Sequence, residues 1–271
     1  MKPGAAAVPM LERYELKYTI PSGMVEAISA FIRPYCYLDR YSNLAADGFY
    51  QVNSLYLDSP DFLFLRNRLE GRENRFNMRT RSYGEAPQPP YFLEVKQKTG
   101  DIIRKYRARV TDADLESVLD PSRSDRGYLA DPADAASADL FRRLAHTYNA
   151  APVIMTSYRR KAFISGCDEY ARVTFDVDLR FMAQPEHLPL SVGREMAPSD
   201  AETCFDEGCS VVLELKCFSK YVPLWMIDLI RTFDLRRRSF SKYGSGSAQV
   251  FQRRTFDDSN RVSPWAGFGK D

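Results

Sequence analysis

Histidine is almost missing from this 271-residue chain: His146 and His187 are the only two. The cysteines Cys36, Cys167, Cys204, Cys209 and Cys217 are odd in number and form no CxxC pair. Neither a zinc site nor a disulfide framework is expected, and reduced thiols in a cytoplasmic setting are. Long apolar runs are absent, and the opening MKPGAAAVPM has no apolar signal core. These two absences argue against direct membrane insertion and against a cleaved leader. An excess of one charge is lacking too: 38 Lys and Arg stand against 36 Asp and Glu, a net +2. Such a balance does not suit a polycation that coats nucleic acid. Finally, GSGSAQ beside Tyr243 lacks the lysine of a phosphate-binding loop, which excludes a P-loop kinase.

What is present is a hydrophobic content of 44%, enough to bury a core. Period-2 alternation predicts about eight strands: 13–20, 51–58, 75–83, 91–98, 103–110, 153–164, 171–181 and 211–217. Amphipathic helices are expected after Ser22, between Ser59-Pro60 and Gly71, over 112–119 and 137–149, and from Pro223 through Phe233. Residues 120–136, 184–208 and 257–271 read as loops and a frayed tail. No boundary divides the chain, so a single domain over 1–271 is expected, with its core at about 11–254.

Sorting each strand into its two faces separates ionic from apolar residues. Arg13, Glu15 and Lys17 share one face; Tyr14, Leu16 and Tyr18 share the other. Arg79 pairs with Arg81, Glu94 with Lys96 and Lys98, Lys105 with Arg107 and Arg109, Tyr158 with Arg160, and Glu214 with Lys216. Arg172, Thr174, Asp176 and Asp178 alternate with Val173, Phe175 and Val177. Any one such strand fits an ordinary half-exposed sheet. The set is less ordinary, because residues 72–109 hold ten Lys and Arg against four Asp and Glu.

If the apolar faces pack outward against the helices, the ionic faces line a bore. Unpaired charge in a dry interior costs several kcal/mol, about that much per ion, so the bore must be wet and filled by counter-charge. A cationic excess at repeated positions suits a linear phosphate chain, which forked arginine donors and point-charge lysines both match. The carboxylates Glu15, Glu94, Asp176, Asp178 and Glu214 have two readings. They serve as internal counterions, or a subset, Glu214 foremost, holds Mn2+ or Mg2+ together with phosphate oxygens.

In order along the chain, RYELKY, SLYLDSP, RTRSYG, FLEVKQK, RKYRARV, TSYRRKAF, RVTFDVDLRF, VVLELK and SFSKYG resemble the VTC domain. That domain is the polyphosphate polymerase module of the vacuolar transporter chaperone complex, within the triphosphate tunnel metalloenzyme superfamily. The resemblance implies an α+β fold, an eight-stranded antiparallel β-barrel forming a triphosphate tunnel with amphipathic helices outside. It implies ATP and polyphosphate as ligands, manganese or magnesium as metal, and, by analogy alone, a membrane-protein partner. Lys17, Arg79, Arg81, Lys96, Arg160 and Arg172 would be the catalytic phosphate-binding cations. Lys105, Tyr158, Lys216, Ser241 and Lys242 would hold substrate, and Glu214 the metal. The chain departs from the fungal members at Ser239, where they carry a further lysine that Arg237 and Arg238 would replace, and the resemblance does not reach their SPX region or membrane spans. The implied reaction moves the γ-phosphoryl group of ATP to a growing chain; a hydrolase of the same superfamily and a non-catalytic polyphosphate or inositol-phosphate sensor are the alternatives.

Overall fold

The computed structural model describes residues 13–86, 88–100, 102–112, 114–115, 129, 131–183, 196–200, 210–218, 221–237 and 240–257. Its strands are β1 (Arg13–Ile20), β2 (Cys36–Leu38), β3 (Tyr50–Asp58), β4 (Arg75–Tyr83), β5 (Tyr91–Thr99), β6 (Ile102–Val110), β7 (Ala151–Ser165), β8 (Ala171–Ala183), β9 (Ala197–Pro198) and β10 (Val211–Phe218). Its helices are α1 (Met24–Ile32), α2 (Arg40–Leu44), α3 (Leu63–Leu69), α4 (Pro132–Thr147), α5 (Leu224–Thr232) and α6 (Lys242–Asp257). All eight expected strands are present.

The main sheet is antiparallel throughout and runs β1-β10-β8-β7-β3-β4-β5-β6, with β2 added to β7 and β9 to β8. It curls so that its ionic faces look inward. The path ends at β1 and β6, which no ladder joins among the described residues. Side chains cross that seam instead, Lys96 Nζ of β5 lying 3.1 Å from Glu15 Oε2 of β1.

The outward faces carry two apolar clusters. On one, Leu213, Leu215, Val173 and Tyr18 pack with Ile28 and Ile32 of α1 and Met226 and Leu229 of α5. On the other, Leu55, Leu57, Met78, Leu93 and Val95 pack with Phe64 of α3 and Ala138 and Phe141 of α4. Ile28, Ile32, Met226, Leu229 and Phe141 are fully buried, each contributing about 1.5–3 kcal/mol of transfer free energy. Among the described residues no helix is long and apolar enough to cross a membrane.

Several boundaries differ from expectation for local reasons. α4 starts at Pro132, not at residue 137, because Asp131 caps it, its Oδ1 accepting from Ala133 N at 2.8 Å. α3 is capped from two residues at once: Asp58 accepts from Phe64 N and Leu65 N, both at 2.9 Å, and Ser59 Oγ accepts from Leu63 N at 3.0 Å. Of the 112–119 helix, Asp112, Asp114 and Leu115 are helical and the rest lies outside the described residues, as do most of 120–136, 184–208 and the tail beyond Asp257.

Two differences alter the tunnel. β8 bulges opposite Tyr158: Arg159 pairs with Val177 but Ser157 pairs with Arg180. The extra residue sits at Asp178, whose φ is 51°. Parity reverses there, so Asp178 leaves the inner face and meets Arg159 at 3.5 Å on the outside. Second, the sequence pattern does not predict α6, and it packs on the inner face, where Leu65 of α3 meets it. Its Tyr243 and Val250 join Val52, Tyr56, Tyr158, Val212 and Phe181 in an apolar plug. Gly246 permits this, since a Cβ there would lie 2.5 Å from Phe181 Cδ1.

Candidate active site

Inside the curled sheet lies a cavity of about 640 Å³. Lys17, Arg79, Arg81, Lys96, Lys105, Tyr158, Arg160, Arg172, Glu214, Lys216, Ser241 and Lys242 all line it. Alternation explains the convergence: register sets Lys17 opposite Glu214, Glu15 opposite Lys216, Arg79 opposite Glu94 and Lys96 opposite Lys105, and the pleat turns each pair inward. Among the described residues, twelve Lys and Arg side chains line the cavity against four carboxylates, Glu15, Asp39, Glu94 and Glu214.

The charges are organised in three groups. Arg79 Nε donates to Glu94 Oε2 at 2.6 Å, with Arg81 Nη2 at 3.8 Å and Arg107 Nε 3.5 Å from the other oxygen. Burial favours the protonated acid, but Arg79, Arg81 and Arg107 outweigh it and hold the Glu94 carboxyl far below its usual range. Arg79 also donates from Nη1 to Tyr56 Oη at 3.1 Å. Burial opposes ionisation of that phenol, yet Arg79 and Arg81 bring its pKa below the usual value.

In the second group Asp176, beneath the cavity wall, accepts from Arg160 Nε at 2.6 Å and Nη2 at 2.8 Å, and from Lys242 Nζ at 2.5 Å. Burial would raise its pKa; Arg160 and Lys242 bring it down to about 2. The Tyr158 ring, itself buried, carries both cations, Lys242 Nζ at 4.5 Å and Arg160 Cζ at 5.3 Å from its centroid. Lys242 opens α6, and Ser241 precedes it, its Oγ accepting from Gly244 N at 3.2 Å. Ser241 therefore has a capping role whether or not it meets a ligand.

The third group joins β1 and β10. Glu214 Oε2 lies 2.7 Å from Lys216 Nζ, and Lys17 Nζ stands between Glu214 Oε1 at 3.4 Å and Glu15 Oε1 at 3.6 Å. Burial penalises the Glu214 charge, but Lys216 and Lys17 hold its pKa well below the ordinary value. Two carboxylates converging on one small cation suit a hard divalent ion that keeps waters and phosphate oxygens. No three Asp, Glu, His or Cys side chains converge among the described residues, so a cage made of protein alone does not fit.

Strand alternation missed some lining residues. Arg40 and Arg68 enter from α2 and α3, where a period of two carries no information. Arg68 is half-buried with no ion pair among the described residues, and burial lowers its pKa. Asp39 caps α2 through Ser42 N at 2.8 Å and binds Arg172 Nη2 at 2.8 Å. Arg172 Nε is buried without a hydrogen-bond partner among the described residues. Arg237 pairs through its backbone with Tyr18 and does not line the cavity; Arg238 and Ser239 lie outside the described residues.

Two curated relatives, named vacuolar transporter chaperone complex subunit 4, come from Trypanosoma brucei brucei and Trypanosoma cruzi. Each is 26% identical over 231 residues, covering 76% of this chain and 29% of the relative. The chain thus spans less than a third of the relatives it matches. Among solved structures, a putative adenylate cyclase from Bacillus halodurans is 11% identical with a TM-score of 0.48, covering 85% of this chain and 96% of that one. A putative adenylyl cyclase from Hippeastrum, described as having a dominant triphosphatase activity, is 11% identical with a TM-score of 0.46, covering 87% and 95%. The VTC domain family matches residues 12–251, and this chain belongs to that family.

Proposed function

We propose that the chain transfers the γ-phosphoryl group of ATP to the end of a polyphosphate chain inside the cavity, with Mn2+ or Mg2+. The carrying observation is the cavity itself, about 640 Å³ lined among the described residues by twelve Lys and Arg side chains against four carboxylates. A ligand with many closely spaced negative charges matches that excess. The two trypanosome relatives are named as subunit 4 of the vacuolar transporter chaperone complex, the complex whose VTC domain this chain resembles.

Arg79, Arg81, Arg160 and Lys242 already have fixed positions from Glu94 and Asp176, so they require little reorganisation as charge shifts in the transition state. Lys17, Lys96 and Lys216 would bind the transferring group beside Glu214. Arg172 Nε, buried without a partner among the described residues, would donate to an anion oxygen. A divalent ion on Glu214 and phosphate oxygens would neutralise developing charge. The acceptor, a terminal phosphate, is an anion near neutral pH and requires no general base.

That last point favours transfer over hydrolysis. Water activation calls for a base with a pKa near the working pH. Glu94, Asp176 and Glu214 are all held well below that by their cations. Incubation with ATP and Mn2+ followed by gel electrophoresis tests the reading, with a ladder of polyphosphate as the expected product. Orthophosphate without a ladder would assign a hydrolase, and binding without turnover a sensor.

A further inference from the structure

At one mouth the mostly ionic lining gives way to a cluster of rings. There Tyr41 of α2, Tyr50 at the start of β3 and Tyr83 at the end of β4 line the same cavity as the cations. The rings of Tyr41 and Tyr83 are parallel, 2° apart with centroids 6.0 Å apart, and Tyr50 lies 5.6 Å from Tyr41. Phe92 closes the back of the set, edge-on to Tyr83 at 5.7 Å, with Arg107 Cζ 3.7 Å from its centroid.

Core packing does not account for Tyr41. Its side chain is 55% exposed, and it belongs to none of the apolar clusters. It nevertheless presents a flat face backed by a second ring, at the edge of a site for phosphates, with Arg40 beside it on the same lining. Stacked aromatic faces next to cations are how proteins hold unpaired nucleobases irrespective of base identity.

We propose that Tyr41, backed by Tyr83, is the platform on which the purine base of the nucleoside triphosphate stacks. The triphosphate then points inward, from the tyrosine mouth past Arg81 and Arg160 toward Glu214. The inference rests on the reading that the triphosphate occupies the cavity. Stacking without edge contacts gives little choice between ATP and GTP, and a weaker hold on CTP.

Calorimetric titration of the chain and of Tyr41→Ala and Tyr41→Phe, with ATP, GTP, CTP and inorganic tripolyphosphate, tests this. Tyr41→Ala is expected to weaken ATP and GTP binding about tenfold while leaving tripolyphosphate within about twofold, and Tyr41→Phe to retain both. Equal loss for ATP and tripolyphosphate, or no loss for either, would overturn the platform. Failure of the unmodified chain to bind tripolyphosphate would overturn the phosphate reading itself, and the platform with it. Since Tyr41 is a surface residue, its replacement leaves the fold intact, and an unchanged melting curve verifies that.

Discussion

Asp176 grips Arg160 through both carboxylate oxygens, at 2.6 and 2.8 Å, from a position only 1% exposed. Lys242 reaches the same carboxylate from α6. One acid thus ties three elements together, β7, β8 and the helix that plugs the tunnel, and it leaves the cationic edges of Arg160 and Lys242 turned toward the cavity. Structure and site share this residue. Its loss should therefore be visible in stability first and in ligand binding second.

Asp176→Asn leaves two buried cations short of counter-charge, with a cost of about 3 kcal/mol in urea denaturation. Excess tripolyphosphate should restore part of that loss, because it supplies the missing charge to the folded state alone. Acid should act like the mutation. The folded carboxyl titrates near 2, against an ordinary 3.8. Its contribution, about 2 kcal/mol, is therefore complete above pH 4 and disappears as the pH falls toward 2. Equilibrium unfolding across that range should show the loss in the unmodified chain and a smaller one in the Asn variant.

Much of this site was legible because a β-pleat ties sequence parity to a face. Lys17, Arg79, Lys96 and Glu214 are far apart in sequence, yet each follows an apolar residue in its strand, and each lines the cavity. Parity fails where the backbone departs from the pleat. Nothing in the run from Arg172 to Phe181 marks the extra residue at Asp178, so alternation alone puts that side chain on the wrong face. Helical contributors such as Arg68 and Arg40 follow another period altogether. α6 was hidden because GSGSAQ has the composition of a loop, and the reason for Gly246 is a ring across the tunnel that no local pattern reveals.

Arg68 offers a case where function and stability should separate. It is half-buried and unpaired among the described residues, and burial depresses its pKa. Arg68→Gln should leave the melting temperature equal or higher, with a gain of up to about 1 kcal/mol. Polyphosphate affinity should fall about threefold to tenfold, with a shallower salt dependence. Titrations at two ionic strengths, with thermal melts alongside, check both halves.

The pH dependence of binding should come largely from Lys105. Desolvation of its ammonium, with like charge from Lys96, brings its pKa down to about 8. In the free protein it loses its proton as the pH rises through that value, whereas a bound phosphate anion keeps it charged. Tripolyphosphate affinity should therefore fall from pH 7 to pH 9, by at most about tenfold per unit for one proton taken up. Lys105→Arg should flatten the profile, since a guanidinium stays charged throughout.

Metal affinity should depend on the ligand. Glu214 is already engaged by Lys216 at 2.7 Å and Lys17 at 3.4 Å, so the protein alone should bind Mn2+ weakly, and tightly only with triphosphate present. Glu214→Gln should reduce metal-dependent turnover by about 100-fold or more while metal-free tripolyphosphate binding holds or strengthens. Full turnover in that variant, with metal still required, would move the metal site elsewhere.

Gly246 tests the plug without touching a charge. A Cβ there would stand 2.5 Å from Phe181 Cδ1 and 3.0 Å from Cε1, so Gly246→Ala forces either the ring or α6 to move. The ring has little room, since Phe181 is 1% exposed and packed with Tyr158 and Tyr243. The expected cost is about 1–3 kcal/mol, partly offset by the better helix propensity of alanine. Movement of α6 would also pull Lys242 from Asp176 and Tyr243 from Asp58, whose Oδ2 accepts from the phenol at 2.5 Å. Phosphate binding should weaken along with the melting temperature. The double variant Gly246→Ala with Phe181→Leu should recover both, because the shorter side chain vacates the space that the methyl group needs.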